Sequence, residues 1–238
     1  MEERSKYWDK TWNYVRGCTP IGVGCRRCYA RRNHDRLLAN PAVPSYSRPF
    51  DQVHVAWDML EDPAPLHWRK PRIIFVNNLS DTFHEVVPDE ALWHAYRIMR
   101  QAPQHTFLLL TKRAARMRRW SWSIVCLENL WLGVTCETPA YMERVRHLTC
   151  IPAAIRWLSW EPAIEALEWG PWLEKIDWLV AGGETGADTQ AVPERWVREA
   201  RDACAEYGTA FWFKQWGGTA APPRDAPLLD GRVHIARP

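Results

Sequence analysis

Thr106-Phe107-Leu108-Leu109-Leu110-Thr111-Lys112-Arg113 is an apolar run of strand length that breaks off into a hydroxyl and two cations. A continuous apolar run, rather than a strict apolar–polar alternation, suits a strand buried on both faces, as in a parallel sheet covered by helices. Similar runs recur at Arg72–Val76, Leu130–Val134, Ile155–Trp160, Ile176–Ala181 and Ala210–Phe213, with weaker candidates at Thr11–Val15 and Gln52–Val55. Between them lie stretches of helical period. One gathers Leu92, Trp93, Tyr96 and Met99, and another gathers Val197, Ala200, Cys204 and Tyr207. Pro88-Asp89 and Pro193-Glu194 are good helix starts, because proline suits the first turn and an acid suits its dipole. Eight such units in 238 residues predict a single-domain α/β protein with a (β/α)8 TIM-like barrel, complete or slightly irregular, over residues 1–218. A doubly wound open sheet is the alternative. Segment 35–71, with six prolines, reads as an excursion, and residues 219–238, with Pro222-Pro223, read as a loosely held tail.

Polar residues follow each strand. They are Asn77-Asn78-Leu79-Ser80-Asp81-Thr82-Phe83-His84, Thr111-Lys112-Arg113, Thr135-Cys136-Glu137-Thr138, Ser159-Trp160-Glu161-Pro162, Gly182-Gly183-Glu184-Thr185 and Lys214-Gln215-Trp216-Gly217. In a parallel barrel these ends share one rim, where active sites are built. Asp81 and His84 are the candidates for proton transfer, since an imidazole titrates near neutrality; the alternative for His84 is a hydrogen-bonded structural histidine. Lys112 and Lys214 are catalytic candidates suited to a carboxylate or phosphate, and Glu137, Glu161 and Glu184 complete the polar mouth.

Gly17-Cys18-Thr19-Pro20-Ile21-Gly22-Val23-Gly24-Cys25-Arg26-Arg27-Cys28 places three cysteines in a stretch too rich in Gly and Pro for helix or strand. Three ligands leave one coordination position open, which structural metal sites normally do not. One reading has Cys18, Cys25 and Cys28 hold three irons of a [4Fe–4S] cluster, leaving the fourth for an exogenous ligand. Another has His34 complete a structural Cys3His zinc site. A third has the thiols merely pack. Cys136 is placed either at the mouth or in the core and Cys204 in a helix core, while Cys126 and Cys150 show no role.

No run reaches the roughly 18–20 apolar residues of a membrane span. Met1-Glu2-Glu3-Arg4-Ser5-Lys6 lacks the apolar core of a signal peptide, and seven cysteines do not suggest a secreted disulfide framework. A cytoplasmic protein with no membrane partner is expected. The net charge of +3 does not by itself establish nucleic-acid binding. Of sixteen tryptophans, Trp93, Trp131, Trp157, Trp178 and Trp212 fall where core residues are expected.

The motif Gly17-Cys18-x6-Cys25-x2-Cys28-Tyr29-Ala30-Arg31 after a first strand resembles the cluster loop of radical S-adenosylmethionine enzymes. The chain is also similar, over roughly residues 8–218, to an uncharacterised, often phage-encoded three-cysteine family usually placed near that superfamily. The matching stretches are Trp12-Asn13, Phe75-Val76-Asn77, Ser80-Asp81-x-Phe83-His84, Leu110-Thr111-Lys112-Arg113, Trp160-Glu161-Pro162, Gly182-Gly183-Glu184-Thr185-Gly186 and Phe213-Lys214-Gln215-Trp216-Gly217. The first cysteine gap is six where that superfamily has three, and Arg27 stands where an aromatic residue is usual. The resemblance implies a [4Fe–4S] cluster on Cys18, Cys25 and Cys28, with S-adenosyl-L-methionine as cofactor. It also implies a 5′-deoxyadenosyl radical at the barrel mouth and a flavodoxin- or ferredoxin-like electron donor. Gly182, Gly183 and Glu184 resemble the ridge that meets the methionyl amine, and Glu137 and Glu161 are further cofactor-binding candidates.

Tyr29-Ala30-Arg31 is also similar to the spore photoproduct lyase-like branch, whose members repair DNA. Independently, five cations beside two tryptophans across Lys112–Trp122 read either as a phosphate-holding, base-stacking patch or as a solvated helix. Arg26, Arg27, Arg31 and Arg32 either contact an anionic substrate or offset the charge of a thiolate-ligated cluster. The alternative from another class is a non-catalytic nucleic-acid-binding module with a zinc or iron–sulfur clip.

Overall fold

The computed structural model describes residues 6–219 and 226–238. The N-terminal stretch Met1–Ser5 and the Pro222-Pro223 pair lie outside the described residues. One sheet of seven parallel strands organises the chain: β1 (Lys10–Trp12), β2 (Ile73–Val76), β3 (Thr106–Thr111), β4 (Leu130–Thr135), β5 (Ile155–Trp160), β6 (Trp178–Gly182) and β7 (Ala210–Gln215). Every adjacent pair is parallel and the spatial order follows the chain order. A doubly wound sheet reverses its order at a switch point; this one does not.

The sheet curls into a half-barrel. Tyr7, just before β1, lies 5.3–6.2 Å by ring centroid from Phe75 on β2, Trp157 on β5, Trp178 on β6 and Trp212 on β7. One side chain reaches strands so far apart in the sheet only if the sheet bends round it. Alternation along each strand then makes two cores. Phe75, Leu108, Trp157, Trp178, Val180 and Trp212 fill the inside with Tyr7, while Ile74, Phe107, Leu109, Leu158, Leu179 and Phe213 face the helices. Gly133 on β4 has no side chain because a Cβ there would collide with the Trp157 indole.

The helices pack outside: α1 (Tyr29–Leu38), α2 (Asp89–Gln101), α3 (Ala114–Ser121), α4 (Met142–Thr149) and α5 (Glu194–Tyr207). α2 and α5 start at the expected Pro–acid pairs, and α5 ends at Gly208, whose φ of 72° is the left-handed cap that glycine tolerates. Val197, Ala200 and Cys204 are buried on α5 as expected. On α2, Leu92, Tyr96 and Met99 are buried, but Trp93 is 40% exposed. One residue past Leu92 is a 100° turn, which carries Trp93 to the flank of the apolar stripe. The β5–β6 connection holds a short 3-10 turn (Pro171–Lys175) where a helix was expected.

The eight-unit expectation is corrected at one strand. His54–Val55 pairs antiparallel with Val15–Arg16 in a two-residue ribbon outside the sheet. The expected segment Gln52–Val55 has only two valines, each beside a polar residue, and lacks the apolar run that burial on both faces requires. At the other end, residues 226–238, read from sequence as loosely held, are tied down. Phe213 N donates to His234 O (2.8 Å), Ala236 N donates to Phe211 O (3.0 Å), and Trp178 Nε1 donates to Ala236 O (3.0 Å). Ile235 bridges antiparallel to Trp212, and Arg237 stacks over the Trp212 ring at 4.6 Å with Asp9, next to β1, as its neighbouring charge. An antiparallel strap therefore covers the free edge of β7. No helix among the described residues is long and apolar enough to cross a membrane.

Candidate functional site

Beyond β1, the chain passes through the Val15–Arg16 ribbon into the cysteine loop and enters α1 at Cys28. Gly17 takes a φ of 78°, and a Cβ on it would collide with Phe50 O, the atom that accepts from Cys18 N at 2.8 Å. Glycine thus lets the loop turn tightly onto its neighbour. Cys18, Cys25 and Cys28 are free, half-buried thiols, and all three line one cavity of about 530 Å³ at the carboxyl ends of the strands. Among the described residues, no three His, Cys, Asp or Glu side chains form a group that could hold a metal ion. The cysteines fit a thiolate-ligated cluster in donor type and number, and they share one cavity, but as placed they do not enclose a single-ion site.

One end of the loop is clamped by Arg113. Its Nη1 stands 3.1 Å from Asp81 Oδ2 and 3.7 Å from Cys18 Sγ, Nη2 donates to Thr19 O and Oγ1 (both 3.2 Å), and Nε donates to both Glu85 carboxylate oxygens (3.0 and 2.9 Å). Asp81 is itself fixed, accepting from Thr111 Oγ1 (2.6 Å), Phe83 N (2.9 Å) and Lys112 N (3.2 Å). Burial, then the Asp81 charge, pushes the Cys18 thiol up to about 11 against the opposing pull of Arg113. His84 is buried with Nδ1 accepting from Val86 N (3.2 Å), so Nε2 is left to donate to Thr19 Oγ1 (2.8 Å). Burial, then Arg113, lowers its pKa against the opposing Glu85 and Asp81. It is a neutral brace for the loop and does not line the cavity.

The middle of the loop rests on a buried platform at the end of β4. Glu137 is fully buried, with Arg144 Nη1 at 2.7 Å from Oε2 and Lys112 Nζ at 2.7 Å from Oε1; the Lys112 contact is an ion pair without hydrogen-bond alignment. Gly24 lies directly on Glu137 Oε1, so a Cβ there would collide with it. Val23 N donates to Tyr141 Oη (2.9 Å), and the Arg144 guanidinium stacks on the Tyr141 ring at 4.0 Å. This is where the six-residue gap between Cys18 and Cys25 goes: the loop reaches across to the α4 side and is held there.

The interior end of the cavity holds a second cluster. Lys214 Nζ donates to Glu161 Oε1 (2.7 Å), while Tyr7 Oη (3.1 Å) and Ser159 Oγ (3.1 Å) donate to Oε2. Burial, then the Glu161 charge, holds the Tyr7 hydroxyl well above its usual pKa, so it stays protonated. At the rim, Arg27 Nη1 pairs with Glu184 Oε2 (3.1 Å) and Arg32 Nη2 donates to Thr185 O (2.9 Å), tying α1 to the loop after β6. Gly183 belongs to that junction, because a Cβ on it would strike Trp216 O.

Of the residues singled out from sequence, Cys18, Cys25, Cys28, Asp81, Lys112, Glu161, Gly183, Glu184 and Lys214 line the cavity. His84, Glu137 and Gly182 do not, and the last two support residues that do. His34 is buried on α1, hydrogen-bonded to Arg48 O (2.9 Å) and edge-on to Tyr46 and Phe50, so it serves that packing rather than the thiols. The basic Lys112–Trp122 stretch is largely spent internally. Lys112, Arg113 and Arg116 pair with carboxylates, Trp120 is core, and Arg119 and Trp122 are exposed. Cys136 and Cys204 are buried, and Cys126 and Cys150 are exposed. The individual roles of Arg113 and Tyr7 escaped the sequence reading. Lys112 drew the attention due to its neighbour, and Tyr7 precedes the first apolar run, where only tertiary folding gives it partners.

A family described as "Protein of unknown function (DUF5131)" matches residues 2–238. The chain belongs to the DUF5131 family. No curated protein and no solved structure matches it.

Proposed function

We propose that this DUF5131 protein carries a [4Fe–4S] cluster on Cys18, Cys25 and Cys28 and is a radical S-adenosylmethionine enzyme working at the mouth of its half-barrel. The observation that carries this reading is that three free thiols of one glycine-rich loop line a single cavity at the carboxyl ends of seven parallel strands. With S-adenosylmethionine bound, such a cluster supplies one-electron cleavage of the sulfonium. The chain's own residues supply binding and enclosure. Glu184, at the rim, can exchange its Arg27 partner for an ammonium group of a ligand. Lys214 and Lys112 each present an ammonium with a single carboxylate partner to the cavity. Tyr7 and Phe75 close its interior end against water. A sequential strand order with sites at the carboxyl ends is barrel geometry, so the scaffold is read as an incomplete (β/α) barrel. Seven free cysteines suit a reducing cytoplasm, where a flavodoxin- or ferredoxin-like protein would deliver the electron.

Anaerobic reconstitution with iron and sulfide tests the reading. About four irons per chain with broad visible absorption, and a spectral change on adding S-adenosylmethionine, are expected. One zinc and no visible absorption would overturn it in favour of a structural clip on a binding module. Glu184→Ala is expected to weaken cofactor binding while leaving the iron content intact; unchanged cofactor affinity would remove Glu184 from the site.

A further inference from the structure

Arg113 has all five of its guanidinium N–H groups committed. Nε serves Glu85, Nη1 serves Asp81 and Cys18 Sγ, and Nη2 serves the carbonyl and hydroxyl oxygens of Thr19. Its side chain is 4% exposed, and Asp81 behind it is pinned by Thr111, Phe83 and Lys112. The fork therefore has no freedom to swing away from the sulfur. The arrangement is also one-sided: among the described residues no side-chain donor reaches Cys25 or Cys28 Sγ. A fixed positive donor on a ligand sulfur stabilises the more negative, reduced state of an iron–sulfur cluster, since sulfur hydrogen bonds and local charge set its potential.

Resting on the cluster reading above, we propose that Arg113 is a positioning residue that acts through Cys18 to raise the reduction potential of the cluster. Asp81 and Glu85 hold the guanidinium in place for this role. This gives Asp81 a part in the site different from proton transfer, for which its fully used oxygens leave no room. Lysine in place of Arg113 keeps the charge but loses the planar fork that serves Asp81, Thr19 and the sulfur together.

The test is a potentiometric titration with dithionite of reconstituted wild type, Arg113→Lys and Arg113→Gln, followed by visible absorption, with Arg119→Lys as a surface control. At a fixed solution potential, Arg113→Gln is expected to show a reduced-to-oxidised ratio about tenfold below wild type, the effect of losing one charge-assisted hydrogen bond. Arg113→Lys is expected to fall between, and Arg119→Lys to match wild type. A brace with no electronic role would lower the melting temperature and leave the potential alone. Variants that hold about four irons and titrate as wild type would therefore overturn the proposal. If Arg113→Gln does not fold, Arg113→Lys alone decides by the same criterion. A wild type that takes up no iron would overturn the cluster reading itself, an outcome distinct from an unshifted potential.

Discussion

Gly24 shows how a single missing side chain places the cysteine loop. Its backbone lies against the buried Glu137 carboxylate, so Gly24→Ala forces the loop to lift between Cys18 and Cys25. Overpacking of this kind costs about 1–3 kcal/mol. Urea unfolding is expected to show that loss. His84 gives a prediction in pH. Its folded pKa lies below its ordinary value of 6.5, because burial and Arg113 disfavour the charged ring. As pH falls through about 6.5 the unfolded chain takes up the proton first, so stability declines on the acid side. Unfolding at pH 7.5 and 5.5 is expected to show that decline in wild type and a shallower one in His84→Gln. Equal slopes would mean the ring is not held neutral.

Loops and helices of this protein are tied together by ion pairs of very different worth. Glu137 is fully buried between Lys112 and Arg144, joining the ends of β3 and β4 to α4 beneath the cysteine loop. Glu137→Ala leaves two cations without their carboxylate and is expected to destabilise by about 3–5 kcal/mol. Arg27 is 46% exposed where it meets Glu184, so Arg27→Ala is expected to cost no more than about 1 kcal/mol. It does remove one of the two ties between the start of α1 and the loop after β6, leaving Arg32 on Thr185 O, so Cys28 is expected to alkylate faster while the melting temperature barely moves. Thermal melts and timed alkylation of the two variants separate the elements that hold the fold from those that gate the cavity. Much of this level is readable in the chain: α2 and α5 begin at their Pro–acid pairs and the six strong strands stand within two residues of their expected bounds. Periodicity and caps are local properties, and these elements obey them. The Gln52–Val55 segment departs because a short, weakly apolar stretch takes whatever partner lies near, here Val15.

At the scale of the molecule, the half-barrel is finished by its own C-terminal strap. His234–Arg237 hydrogen-bonds to β7 and caps Trp178 and Trp212, the interior tryptophans nearest the free edge. Deleting residues 234–238 is expected to lower the melting temperature by several degrees through loss of about three hydrogen bonds and part of the aromatic cover. It is also expected to raise acrylamide quenching of tryptophan fluorescence. Unchanged quenching would mean that the strap does not cover the interior.

By itself, the sequence determined the parallel α/β class, the continuous apolar runs that become its buried strands, and the presence of three thiols on one loop at the polar rim. All of these follow from residue type and short-range spacing. Only the tertiary structure decided that seven strands rather than eight share the sheet, that the tail docks on its edge, and that Arg113 rather than Lys112 meets Cys18. It likewise joined Tyr7, Glu161 and Lys214, which the chain separates by 154 and 53 residues. Pairings across such distances depend on how the sheet curls, and curl is a property of all its strands together.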